Sequence, residues 1–186
     1  MTIAVVNPSE FFLTRSLLKE HPEILLNNSS TKKTQEQLYI PGNNSRGNAY
    51  KNTKTGFRED IGINVRSNWE ANFVRIVNLY KILFEFEPTV FAFPIKRGTK
   101  GYTPDFFLQQ TNEWIEIKGY LDTKSKTKLK RFKRYYPEEF KKLICIISKY
   151  SKEAQQFIEE IEVSRVMYYE DIRSFFSSRI ENWEGK

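Results

Sequence analysis

Apolar and polar positions along this chain fall into blocks of changing period. Near the middle, Phe106-Phe107-Leu108 is a short apolar run, Gln109 to Glu113 is polar and turn-prone, and Trp114, Ile115 and Ile117 resume an apolar pattern. Two strands joined by a tight connection are predicted there. Upstream, residues 67 to about 84 carry Trp69, Phe73, Ile76, Val77 and Tyr80 at the spacings of one helical face, the clearest helix in the chain. Residues 85–88 and 90–95 alternate as strands entering the sheet. After Gly119 the pattern predicts a helix over about 125–136 burying Leu129, Phe132 and Tyr136, a strand at 143–147, a helix at 151–161, a strand at 163–169 and a last helix at 171–180. Such alternation predicts an α/β domain with a central mixed sheet flanked by helices on both faces.

The N-terminal part reads differently. Residues 8–19 form a short helix with Phe11, Phe12, Leu17 and Leu18 on or near one side, ending before Pro22 and docking onto some other surface. Residues 27–56 are rich in Asn, Ser, Thr, Lys and Gly and poor in apolar side chains, the composition of a linker or mobile arm. The expected organisation is therefore a helix with a polar extension over 1–57 and a folded domain over 58–186. The extension is either a plain linker or an arm that orders on DNA through Lys32, Lys33, Arg46, Lys51 and Lys54.

Composition narrows the chemistry. With 39% hydrophobic and 15% aromatic residues, 186 residues suffice for one packed domain and an appendage. No apolar run approaches the roughly 18 residues of a membrane span, and Met1 to Pro8 lacks the charged start and long apolar region of a signal peptide, so a cytoplasmic protein with no membrane partner is expected. Cys145 is the single cysteine and lies in an apolar strand, while His21 is the single histidine. Disulfide frameworks, cysteine-based zinc sites and Ser/His or Cys/His catalysis all lack parts, which leaves carboxylates, lysines and hydroxyls.

Charge is local. Between residues 121 and 142 nine bases face three acids, +6 of the chain's formal +7. The bases Lys124, Lys126, Lys128, Lys130, Arg131 and Arg134 lie on the predicted helix, and Lys96, Arg97 and Lys100 lie in a glycine-containing turn just before the acidic stretch. These are either solvated faces or the surface that holds a polyanion.

In the hairpin, residues near the start of the first strand lie opposite residues near the end of the second, so Asp105 meets the Glu116 to Lys118 end. Glu116 and Lys118 share a strand face, while Ile115 and Ile117 take the other face into a core. Asp105 and Glu116, helped by a backbone carbonyl such as that of Ile117, make an oxygen-ligand site suited to magnesium. Lys118 beside it would orient or help deprotonate a metal-bound water, or neutralise charge on a phosphate. The plain alternative is an exposed strand with solvated Glu116 and Lys118.

Pro104-Asp105 followed by Glu116-Ile117-Lys118, eleven residues from acid to acid, resembles the signature of the PD-(D/E)xK nuclease superfamily. Val65-Arg66-Ser67-Asn68-Trp69-Glu70 resembles the R-S-x-W-E helix start of phage and mobile-element branches: phage junction-resolving endonucleases, the phage head-completion nuclease and the nuclease subunit of some cut-and-paste transposons. The resemblance spans roughly residues 58 to 148. It implies a restriction-endonuclease-like core, and it puts Glu70 with Asp105, Glu116 and Lys118 as the catalytic set, Glu70 joining the metal ligands. Ser67-x-x-Glu70 is equally a capping box, and Glu85 or Glu87 is the fallback for the extra acid. The implied activity is a magnesium-dependent DNA endonuclease, manganese substituting, encoded by a phage or mobile element and acting in the host cytoplasm, as a homodimer or within a larger DNA-processing complex. The other readings are a nuclease subunit active only inside a transposition or packaging complex, and a non-catalytic DNA-binding or assembly module.

Overall fold

A computed structural model describes residues 3–20 and 55–185. Its centre is a six-stranded mixed sheet, in the order β1 (Ala4–Val5), β10 (Arg165–Tyr168), β9 (Leu143–Ile147), β8 (Glu113–Lys118), β7 (Phe106–Leu108) and β4 (Phe84–Phe86). β1, β10, β9 and β8 run parallel, and β7 pairs antiparallel with both β8 and β4. Helices cover both faces, as the strand and helix alternation predicts.

Side-chain parity divides the sheet into two cores. On one face Ile115, Ile117, Ile144, Ile146 and Met167 pack under α1 (Pro8–Glu20), α2 (Asn68–Leu79) and α6 (Tyr169–Phe176), which supply Phe12, Phe73, Ile76 and Phe176. On the other face Trp114, Leu143, Cys145 and Ile147 pack under α3 (Thr123–Tyr135), α4 (Pro137–Phe140) and α5 (Lys152–Glu160), through Leu129, Phe132, Phe140 and Phe157. β9 is apolar throughout because it is buried on both sides. Cys145 is a buried free thiol within this second core.

The surface onto which α1 docks is the first core. Phe12 meets Phe73 and Phe176 at ring distances of 5.8 and 5.4 Å. Arg15 of α1 also donates to Glu113, the first residue of β8, at 2.8 Å. His21, the five bases of the polar stretch and that stretch itself up to residue 54 lie outside the described residues. Gly56 opens β2 (Gly56–Arg58), which pairs with β3 (Ile63–Val65). No helix among the described residues is long and apolar enough to cross a membrane.

Three boundaries differ from the sequence reading. α2 stops at Leu79 rather than near Phe84, because Lys81 takes a left-handed conformation (φ 54°) that reverses the chain, and Phe84–Phe86 then pairs with β7. The stretch 90–95 does not enter the main sheet. Its β5 (Phe91–Ala92) pairs only with β6 (Gly101–Tyr102), in a two-stranded ribbon bounded by Pro88 and Pro94, which lack the amide a longer ladder needs. Phe91 packs on Phe132 at 4.8 Å instead, so the ribbon lies over α3. Last, α6 begins at Tyr169, directly after β10, and ends at Phe176 rather than Ile180.

Candidate active site

The β7–β8 register places Phe106 opposite Ile115, which continues to Asp105 opposite Glu116 and next to Ile117. Asp105 Oδ2 accepts the Ile117 amide at 2.7 Å, and the Asp105 carbonyl accepts the Glu87 amide at 2.9 Å. The aspartate is thus held through both its side chain and its backbone carbonyl. Lys118 Nζ lies 3.3 Å from Asp105 Oδ2 and 3.1 Å from Glu116 Oε1, so one ammonium bridges two carboxylates that are almost fully buried. The lysine side chain itself keeps 27% exposure and forms the mouth of the site. All this sits at the carboxyl ends of the parallel strands, where open α/β sheets place their ligand crevices.

Glu116 is not on an open polar face, as a solvated strand would have it. It is 4% exposed, on the side of β8 that faces the second core. Tyr102 of β6, itself 1% exposed, donates its hydroxyl to Glu116 Oε2 at 2.8 Å. That bond ties the β5–β6 ribbon to the acids and leaves Oε1 toward Lys118.

Glu70 stands in the first turn of α2. Its amide donates to Ser67 Oγ at 3.2 Å, Ser67 Oγ donates to Glu70 Oε1 at 2.9 Å, and the Arg66 amide donates to Oε2 at 2.8 Å. The capping box therefore forms, with the acid reaching back to the amide one residue before the cap. Glu70 is nonetheless buried and feels the charges of Asp105 and Lys118. Trp69 orients this turn, lying flat on Tyr169 at 3.9 Å and facing Gly119 just beyond Lys118.

Burial, then the charge of Asp105, pushes both Glu70 and Glu116 up to about 7. Burial works against the Lys118 charge as well, but Asp105, Glu116 and Glu70 outweigh it and hold the lysine well above its ordinary value. Lys118 is an ammonium in this arrangement, fitted to neutralise charge rather than to take a proton.

The two fallback acids separate. Glu85 is exposed and accepts from Gln109 at 2.8 Å, on the sheet rather than at the site. Glu87 is beside Asp105 and pairs with Arg66 at 2.5 Å, and burial raises its pKa. Ile117 enters through its amide.

The basic residues also divide. Lys100, Lys124 and Lys128, with Gly98, Thr99 and Gly101, line a concavity of about 500 Å³. Arg131 donates to the Thr99 carbonyl at 2.6 Å and so fixes that loop on α3. Lys96 and Arg97 are exposed at its tip, and Arg134 lies over the Tyr135 ring. Lys126 and Lys130 are turned instead toward α5, where they pair with Glu153 and, at 2.8 Å, with Glu160.

Residues that sequence reasoning gave no role here are Tyr102, Arg66 and Glu87's partnership with it. Arg66 carried a signal, as the first residue of the R-S-x-W-E stretch. Tyr102 carried none, since its bond to Glu116 spans two sheets.

Asp105 and Glu116 offer hard oxygens to one point already held by a cation, a donor set that fits magnesium, which needs few protein ligands and keeps its waters. Among the described residues no group of three or more acidic, histidine or cysteine side chains is placed to hold a metal on its own, and Glu70 is linked to Asp105 and Lys118 through their charges. Comparison with protein-family models, with curated proteins and with solved structures finds no match to this chain.

Proposed function

We propose that this protein is a magnesium-dependent DNA endonuclease built on a restriction-endonuclease-like variant of its mixed-sheet core. The observation that carries the reading is the Lys118 ammonium lodged between the buried carboxylates of Asp105 and Glu116 at the end of a β-hairpin. A solvated strand does not bury two acids, and a structural ion pair does not need a third carboxylate, Glu70, near the same lysine.

Asp105 and Glu116 would hold the magnesium ion, with the Ile117 carbonyl as a further oxygen, and Glu70 would act on the same charge from α2. The ion, when bound, supplies Lewis-acid polarisation of the phosphate and a more acidic water. The chain's own groups do the rest. The Ile117 amide fixes the Asp105 carboxylate, Tyr102 fixes Glu116, and Lys118 presents positive charge to the phosphoryl oxygens as negative charge builds in the transition state. Glu70 keeps the α2 terminus and the acidic cluster in one piece.

The reading is tested by one panel: supercoiled plasmid, linear duplex, flap and four-way junction, each with magnesium, with manganese or with chelator. Cleavage of at least one substrate with metal and none with chelator is expected. Inertness of the isolated chain toward every substrate, despite DNA binding, points instead to the non-catalytic module or to a subunit that requires its complex.

A further inference from the structure

The two lysine rows of α3 have unlike surroundings. Lys126, Lys130 and Lys133 form one row, facing α5 and the turn after it, and each meets an acid: Glu153, Glu160 and Glu162. Lys124, Lys128 and Arg131 form the other row, at helical spacing on the opposite flank of the buried Leu129 and Phe132. Arg131 is spent on the Thr99 carbonyl, which pulls the loop over residues 98–101 down onto the helix. The concavity so formed has three ammonium groups, Lys100, Lys124 and Lys128, and no acid in its lining.

Lys128 is the telling residue. It is half-buried, and among the described residues it has no hydrogen-bond or ion-pair partner. Lys124, Lys118 and Arg66 are its cationic neighbours, and the acids whose charge reaches it, Glu116, Glu87 and Asp122, lie outside the lining of the concavity. An unpaired, partly desolvated cation beside other cations is costly unless an anion joins them. Gly98 takes a left-handed conformation (φ 85°) that turns the loop so that Thr99 reaches Arg131.

We infer that the concavity lined by Lys100, Lys124 and Lys128 is a subsite for a backbone phosphate of the nucleic-acid strand next to the phosphate held at Asp105 and Glu116, and that the Lys126–Lys130 row is not part of the DNA-binding surface. This rests on the endonuclease reading. It narrows the sequence expectation, in which the α3 bases act together, to one row of the helix. Arg66, paired with Glu87, adds a further cation within range of Lys128.

The test is fluorescence anisotropy of a short labelled DNA duplex with the full chain, in chelator so that nothing is cut. Two double variants carry the same change in net charge: Lys124→Gln with Lys128→Gln, and Lys126→Gln with Lys130→Gln. The first is expected to weaken binding on the order of tenfold or more and to make the salt dependence shallower by about one to two units of log–log slope. The second is expected to stay within about twofold of the parent. The exposed single variant Lys124→Gln, which leaves the half-buried position intact, should show part of the first loss. Equal losses in the two doubles overturn the subsite and leave the endonuclease reading standing. A parent chain that binds no DNA overturns both.

Discussion

The hydroxyl of Tyr102 donates to Glu116 Oε2 at 2.8 Å, joining the β5–β6 ribbon to the central strand of the main sheet inside an otherwise apolar layer. One carboxylate oxygen is thereby occupied and the other is directed at Lys118. Tyr102→Phe removes the donor with almost no change of shape. The expected result is a roughly 10- to 100-fold weaker apparent affinity for magnesium, the scale of an outer-shell orienting bond, with a smaller fall in the rate at saturating metal. A magnesium titration of the cleavage rate checks it, and an unchanged half-saturation shows that Glu116 needs no such support.

Glu70 has two roles that substitution can separate. Glu70→Gln can keep its one oxygen on the Arg66 amide and donate its NH2 to Ser67 Oγ, but it removes a charge from beside Asp105. It should melt at or above the parent temperature yet cleave far more slowly. Ser67→Ala should cost about 1 kcal/mol, or about 2–4 °C in a chain of this size, with cleavage largely kept. Thermal melts and plasmid nicking on the same preparations check the pair. Parent-like cleavage by Glu70→Gln at limiting magnesium makes the acid a cap alone, with Glu87 next in line.

Lys118→Ala takes the cation from between two buried acids, and stability should fall by on the order of 3 kcal/mol at neutral pH. Activity should fall by about 10²-fold or more, with arginine a poor replacement because its flat fork does not fit between the two carboxylates. Melting curves with and without magnesium, alongside single-turnover rates, measure both. Full activity in Lys118→Arg reduces its role to charge alone.

The hairpin and its acids were legible in the sequence because they are local: Phe106 to Leu108, a polar turn, and Trp114 to Lys118 can pair in only one compact way. α2 was legible in its start, from Ser67 and the face made by Phe73, Ile76 and Val77, but not in its end. Lys81 gives no sequence sign of its left-handed turn, and the apolar positions run on into Ile82 and Phe84 as if the helix continued. The burial of Glu116 was also hidden. A strand reading Glu-Trp-Ile-Glu-Ile-Lys suggests one wet face, and only the ribbon and α3 folding over that face make it a second core. For the same reason the rows of α3 could not be told apart, since the acids that face Lys126 and Lys130 lie on α5, about thirty residues on.

Proton linkage supplies a readout that needs no DNA. Glu70 and Glu116 are raised to about 7 in the folded state, so the fold binds more protons than the unfolded chain between their ordinary value and about 7. Stability of the metal-free protein should therefore decline as pH rises through that window. The raised Lys118 acts only above its unfolded pKa and does not enter here. Magnesium competes with those protons, so the rise in melting temperature on adding it should be larger near pH 8 than near pH 6. An equal rise at both, or none, removes Glu70 and Glu116 from the metal site.

Nicking of supercoiled plasmid by the parent chain and by Asp105→Ala, run side by side in magnesium and in chelator, tests the central claim most directly. Nicked and linear DNA should appear only with the parent and only with magnesium, while both proteins bind the plasmid. Cleavage by Asp105→Ala at the parent rate, or parent cleavage that survives chelator, would contradict a metal-dependent nuclease centred on Asp105, Glu116 and Lys118.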